Sequence, residues 1–169
     1  AAPMINHRGP EFASLIQGTT EKLKQVYLTE NDVLTLTASG TGAMEAAVVN
    51  FMPPGSHALV ITIGVFGNRF KELVNAYGGV ATVLEFSFGL AADLEQIKDA
   101  LEKNSEIKTV FVTHNETSTG VTNPIIPNLV KIVQEHDALL VVDAISSLSS
   151  VEFRTDEWEV DVVCSGSQK

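Results

Sequence analysis

Two stretches decide the fold, Val141-Val-Asp143 and Asp161-Val-Val-Cys-Ser-Gly-Ser-Gln-Lys169. Each contains an apolar, strand-like run that leads to a residue with a reactive side chain, an acid in the first stretch and an amine in the second. In an open parallel sheet, consecutive strands joined by a crossover have their carboxyl ends on the same edge, and such sheets bind ligands there. The sequence therefore predicts that Asp143 and Lys169 lie at one edge of a parallel sheet.

The rest of the chain alternates between strand-like and helix-like patterns. Apolar, β-branched runs predict six strands, at 33–37, 58–63, 81–86, 109–113, 138–142 and 160–164. Helical spacing of apolar residues predicts helices at 43–51, 66–77, 90–101 and 127–136, after a first helix at 10–27 that is interrupted at residues 18–20. This order is typical of an α/β fold, a three-layer sandwich with a mainly parallel sheet.

Composition restricts the classes of function. Hydrophobic residues make up 44% of the chain and charged residues 19%, which indicates a globular domain with a core. The net charge of −10 leaves no basic surplus to neutralise phosphates, so we expect no nucleic-acid partner. No apolar run reaches the roughly 18–20 residues that span a bilayer, and the first residues lack the layout of a secretion signal. We therefore expect a cytoplasmic protein with no membrane partner.

The sequence also argues against a metal site and a serine hydrolase. The four histidines show no spacing typical of metal ligands, and the single cysteine, Cys164, cannot supply a thiolate cluster. The Gly-x-Ser-x-Gly pattern of hydrolases does not occur. Because Cys164 sits in an apolar run, we expect it to be a small buried hydrophobe.

A glycine-rich turn, Ser39-Gly-Thr-Gly42, lies between a predicted strand and a predicted helix. A helix start there offers free N–H groups and a positive dipole end to a phosphate, although a plain glycine turn with a helix cap would look the same. The Asp143 carboxylate would pair with a protonated ring nitrogen, although an aspartate at this position would equally be expected to cap a loop at the end of a strand. Together with the Lys169 amine, these features predict a cofactor that is anionic at one end, basic in its ring and reactive toward amines. Pyridoxal phosphate has all three properties.

Five motifs in order along the chain resemble the class V aminotransferases of the pyridoxal-phosphate fold type I group. The similarity is to the alanine–glyoxylate and serine–glyoxylate (serine–pyruvate) aminotransferases. The motifs are Ser39-Gly-Thr-Gly-Ala-Met-Glu-Ala46, Gly64-Val-Phe-Gly-Asn-Arg69, His114-Asn-Glu-Thr-Ser-Thr-Gly120, Val142-Asp-Ala144 and Ser165-Gly-Ser-Gln-Lys169.

The resemblance implies two catalytic residues and a phosphate site. Lys169 would form the Schiff base with the cofactor aldehyde and then move the substrate proton, and Asp143 would pair with the pyridine nitrogen. Ser39, Gly40 and Thr41 would hold the phosphate, with Gln168 near it.

The resemblance also implies three residues around the cofactor ring. Phe66 would stack on one face, where relatives often carry tryptophan, and Ile145 would pack on the other. Thr117 would hydrogen-bond near the ring hydroxyl. Otherwise Phe66 and Ile145 would be core residues and Thr117 a turn residue.

The implied activity is transfer of an amino group from alanine or serine to glyoxylate or pyruvate by a homodimer. Residues 1–30 would form an N-terminal segment and helix, and residues 31–169 the front part of the cofactor-binding large domain. A small domain with the arginine for the substrate carboxylate would be absent from this chain. A lyase similar to cysteine desulfurases, or an inactive truncated binding domain, remain alternatives.

Overall fold

The computed structural model describes residues 3–168. It contains five helices and seven strands within that range. In chain order they are α1 (Pro10–Tyr27), α2 (Gly40–Phe51), β1 (His57–Thr62), α3 (Val65–Ala76), β2 (Val80–Glu85), α4 (Leu94–Lys103), β3 (Ile107–Thr113), β4 (Asn115–Glu116), β5 (Val121–Thr122), α5 (Ile126–Glu135), β6 (Leu139–Asp143) and β7 (Val162–Cys164).

Five strands form one sheet in the order β2-β1-β3-β6-β7, and every neighbouring pair in it is parallel. The predicted α/β fold with a mainly parallel sheet is therefore confirmed. The remaining two strands, β4 and β5, pair antiparallel as a short hairpin that the sequence analysis did not predict.

Alternating residues of each strand divide the core into two layers, because successive side chains point to opposite faces of a sheet. In β1, Leu59 and Ile61 pack in the cluster that contains the apolar faces of α4 and α5. Ala58 and Val60 pack in the other cluster, with α2 and α3. The sheet therefore lies between two helical layers, as the three-layer prediction requires.

The predicted strand at 33–37 is wrong. These residues belong to no strand in the described part of the chain, and Leu34 and Leu36 are 82% and 48% exposed. β-branched residues favour extended backbone, but a strand forms only when a neighbour supplies hydrogen-bond partners. The run Val33-Leu-Thr-Leu-Thr37 pairs with no strand of residues 3–168.

Helix α1 differs from its prediction in being continuous through Gly18, with 18 residues and none of them buried. Its carboxyl end is attached to the body of the protein. The Thr155 hydroxyl donates to the carbonyl of Tyr27 at 2.6 Å, and the Glu30 amide donates to Asp156 at 2.8 Å. The helix is thus positioned by hydrogen bonds at its end rather than by a buried face.

Candidate active site

The start of α2 lies over the carboxyl ends of β6 and β7. The Cys164 thiol donates to the carbonyl of Ala43 in the first turn of α2, at 3.5 Å. A side chain on Gly40 would come within 2.6 Å of Ile145, two residues past β6. Glycine at position 40 therefore allows this helix start to approach the chain segment that follows Asp143.

The first turn of α2 has the features of an anion cradle. Ser39 is the N-cap, and its hydroxyl accepts from the amide of Gly42 at 3.4 Å. The amides of Gly40 and Thr41 precede the first intrahelical donors, and the positive end of the helix dipole adds to their potential. The Arg69 guanidinium donates to the Thr41 hydroxyl at 2.9 Å and brings a positive charge close to this turn. These groups fit a phosphate.

Asp143 ends β6 and is 3% exposed. One of its carboxylate oxygens accepts from the amide of Ile145 at 2.9 Å. A buried carboxylate is costly unless polar or charged partners compensate for its lost hydration. An acid held at this edge, beside the start of α2, fits a protonated ring nitrogen.

The neighbouring cysteine does not have the properties of a nucleophile. Cys164 is 4% exposed, and burial, together with the negative charge of Asp143, raises the pKa of its thiol to about 12. The thiol therefore stays protonated at neutral pH, whereas the reactive form of a cysteine is the thiolate. This agrees with the prediction of a buried hydrophobe.

Phe66 is the second residue of α3, and it is half-buried. The Arg69 guanidinium lies over its ring, 4.9 Å from the centroid, in a cation–π arrangement. Because the same guanidinium bonds Thr41, Arg69 links the proposed ring-stacking residue to the proposed phosphate cradle.

A hydrogen-bond network joins the β4 hairpin to the segment after β6. The hydroxyl of Thr117 donates to the Ser146 hydroxyl at 2.9 Å, and Ser146 donates to the carbonyl of Asn115 at 2.9 Å. Thr117 is exposed, and its bond to Ser146 places it beside the segment that follows Asp143. Gln168 is also exposed, four residues past β7.

Lys169 lies outside the described residues, so the structure gives it no position.

Three residues that sequence reasoning missed are Arg69, Glu116 and Ser146, each of which bonds a predicted site residue. Arg69 and Glu116 fall within the motifs noted above, but their partners are distant in sequence. A pattern of residue types contains no signal for such contacts.

The described residues offer neither a cluster of metal ligands nor a membrane-spanning helix. Within residues 3–168 there is no group of three or more acidic, histidine or cysteine side chains suited to a metal ion. Among the helices of the same residues, none combines the length and apolarity that crossing a bilayer requires.

A parallel sheet with a helix start and a buried acid at its carboxyl edge is typical of α/β domains that bind a ligand at that edge. The family model "Aminotransferase class-V" matches residues 1–169. The chain belongs to the class V aminotransferases.

Individual relatives agree with this assignment. The chain is 43% identical to an uncharacterized aminotransferase of Methanocaldococcus jannaschii, over 100% of the chain and 44% of the relative. It is 40% identical to the serine–glyoxylate aminotransferase of Methylorubrum extorquens, over 97% of the chain and 42% of the relative. The crystal structure of alanine–glyoxylate aminotransferase from Nostoc sp. superposes with a TM-score of 0.95 at 32% identity, over 99% of this chain and 44% of that one.

The chain thus spans less than half the length of these relatives. The fold also occurs in the cysteine desulfurase CsdA from Escherichia coli, with a TM-score of 0.73. At 10% identity that likeness reflects the fold alone. The lyase alternative consequently has weaker support than the aminotransferase assignment.

Proposed function

We propose that the chain forms part of a pyridoxal-phosphate-dependent aminotransferase that moves an amino group from a small amino acid to a 2-oxo acid. The observation that most supports this is the contact of the α2 start with Ile145, next to the buried Asp143. Phosphate-binding and acid-bearing segments then share one sheet edge, as a phosphorylated pyridine requires. The match to the class V family over the whole chain is the second support.

Pyridoxal phosphate, when bound, supplies a ring that accepts the electrons released when a substrate α-proton is removed. Asp143 holds a proton on the ring nitrogen, which keeps the ring electron-poor. The start of α2, with Ser39, Gly40 and Thr41, holds the phosphate through its amides and hydroxyls. Lys169 acts as the base that moves the proton at the substrate α-carbon.

The remaining predicted residues position the cofactor. Phe66 and Ile145 would cover the two faces of the ring and exclude water from them. The hydroxyl of Thr117, oriented by Ser146, hydrogen-bonds near the ring hydroxyl. Gln168 adds a polar contact near the phosphate.

We propose alanine or serine as the amino donor and glyoxylate or pyruvate as the acceptor. The support comes from the names of relatives, since proteins similar to this chain include aminotransferases for alanine–glyoxylate, serine–glyoxylate and aspartate–glyoxylate. Glyoxylate is common to all three, so it is the acceptor to test first. A homodimer in the cytoplasm remains a prediction.

The test is covalent labelling of the full-length protein. After incubation with pyridoxal phosphate and borohydride, mass spectrometry is expected to find a cofactor label on Lys169, and Lys169→Ala is expected to lose both label and transamination. The matched control is Lys108→Ala, which removes an exposed lysine that pairs with Asp137. That variant should keep the label. A label on other lysines only, or normal transamination by Lys169→Ala, would contradict the proposal.

A further inference from the structure

Glu116 is a fully buried acid, 0% exposed, at the end of β4. Its carboxylate accepts four hydrogen bonds. One oxygen accepts from the amides of Phe66 at 3.0 Å and Gly67 at 3.2 Å, and the other accepts from the amide of Ser118 at 3.1 Å and its hydroxyl at 2.7 Å. No basic residue among 3–168 forms an ion pair with Glu116, so neutral donors and the start of α3 compensate for its burial.

These bonds satisfy the start of α3 from outside the helix. The N-cap residue is Gly64, which has no side chain to cap with. The amide of Val65 donates to the Ser118 hydroxyl at 3.0 Å, and the next two amides donate to Glu116. The first three N–H groups, which have no intrahelical acceptor, are thus all bonded to the β4 hairpin.

Close packing fixes the position of this cap. A Cβ on Gly64 would lie 2.5 Å from both the Glu116 side chain and the Ser118 hydroxyl. Glycine at position 64 therefore allows the carboxylate to reach the helix start directly.

The cap connects segments that carry three of the proposed ring-contacting residues. Phe66 is on the helix that Glu116 holds, and Thr117 is the residue directly after Glu116 in the hairpin. Thr117 bonds Ser146, the neighbour of Ile145. Displacement of the Glu116 carboxylate would therefore change the position of Phe66 relative to Thr117 and Ile145.

We propose that Glu116 is a positioning residue that sets the aromatic face of the cofactor site by fixing the start of α3 to the hairpin that carries Thr117. This inference rests on the proposed function. Glu116 itself contacts the backbone of Phe66 and Gly67 and acts on the cofactor through them.

The test uses Glu116→Gln in the full-length protein. Glutamine keeps the shape but offers one acceptor oxygen and an NH₂ donor, so one of the two pairs of bonds loses its acceptor. We expect the dissociation constant for pyridoxal phosphate to rise roughly tenfold, because binding would have to bring the displaced Phe66 back to its position against the ring. We also expect weaker visible circular dichroism of the bound cofactor, and faster hydrogen exchange at Phe66 and Gly67 in the cofactor-free protein.

Two further variants separate positioning from general stability. Thr109→Val removes a part-buried bond from the Thr109 hydroxyl to the carbonyl of Phe51, at the opposite edge of the sheet, and it should leave the dichroism and affinity unchanged. If Glu116→Gln does not fold, Ser118→Ala tests the same cap with a smaller loss of stability. Ser118→Thr, which keeps the hydroxyl, should restore the dichroism.

Each outcome has one meaning. The inference would be overturned if Glu116→Gln or Ser118→Ala showed faster hydrogen exchange at the start of α3 but unchanged cofactor affinity and dichroism. Glu116 would then be a helix cap only. If the unmodified protein takes up no reducible cofactor label, the proposed function fails, and the inference fails with it. Normal uptake by the unmodified protein together with altered dichroism in the cap variants would support both.

Discussion

His114 is a buried side chain with an unusual environment. Its ring lies edge-on to those of Phe153 and Trp158, with centroids 5.2 and 6.3 Å away. Its Nδ1 atom has no hydrogen-bond partner among the described residues. Burial lowers the pKa of His114 from 6.5 to about 4, because a protonated ring would lose its hydration there. The folded protein therefore keeps this imidazole neutral.

A pH dependence of stability follows from His114. Between pH 6.5 and 4 the unfolded chain binds a proton at this residue that the folded chain does not, so stability is present at neutral pH and falls as the pH falls. The loss should be about 3 kcal/mol and should level off below pH 4. Urea unfolding at several pH values should show this slope in the unmodified protein and in His7→Gln, and a flatter one in His114→Phe. An equal slope in His114→Phe would contradict the assignment.

Among individual residues, the sequence could place those proposed site residues that lie at the end of a strand or at the start of a helix. Asp143 could be placed because parallel strands end at a common edge, and Ser39 to Thr41 because a glycine turn before a helix leaves amides free. The role of Glu116 could not be predicted. Its partners at Phe66 and Gly67 are 50 and 49 residues away in the chain.

Helix α3 lies unusually close to β1. A Cβ on Gly67 would lie 2.7 Å from the Cα of Thr62, which is backbone and cannot move away easily. Glycine is therefore required by the packing of helix on strand, even though glycine within a helix usually lowers its stability.

Two glycine-to-alanine changes should have opposite effects on stability. Gly67→Ala is expected to lower the free energy of unfolding by about 1–3 kcal/mol, because it forces α3 away from β1. Gly18→Ala, in α1, meets no atom within 4 Å and should raise it by about 0.5–1 kcal/mol. Denaturant unfolding of both variants checks this. Equal effects would show that packing against Thr62 does not govern position 67.

Among the helices and strands, the pattern was a reliable guide for those that bury an apolar face of their own, although α1 was also found where predicted without burying any residue. Helix α5 and strand β6 have buried apolar residues at the expected spacing, and both occur where predicted. The run at 33–37 has strand composition but no neighbour among the described residues, so composition alone was misleading. The β4–β5 hairpin has two-residue strands, too short for a periodic signal.

Across the whole molecule, large apolar side chains remain exposed on α1 and on the segment after it. They include Leu15, Ile16, Val26, Leu34 and Leu36. Exposed apolar residues that are close together are typical of surfaces that other parts of a protein cover.

The 169-residue chain by itself is therefore expected to self-associate as its concentration rises. Leu34→Lys with Leu36→Lys should reduce the association and the binding of a hydrophobic dye. The control is Phe88→Lys with Leu90→Lys, two exposed residues that flank Gly89, whose φ of 92° prevents a flat strand. Sedimentation velocity and dye fluorescence measure both effects. Association that is unchanged by the first pair and abolished by the second would contradict this expectation.

For the whole molecule, the sequence was sufficient for the fold class but not for the order of strands. Alternating strands and helices favour a parallel sheet whatever the order of its strands. The observed order, β2-β1-β3-β6-β7, depends on the crossovers at which the chain reverses its direction across the sheet. Each such reversal depends in turn on the face of the sheet against which the helices pack. No single residue determines that choice.

The cap on α3 has a consequence for biosynthesis. Ribosomes release the chain from its amino end, so α3 emerges before the hairpin whose carboxylate and hydroxyl its first three amides require. Until about fifty further residues have been made, water must hydrate those amides, and the first turn of the helix is expected to fray. The nascent chain would then complete the first turn of this helix only when Glu116 arrives, so that turn would be the last part of α3 to form.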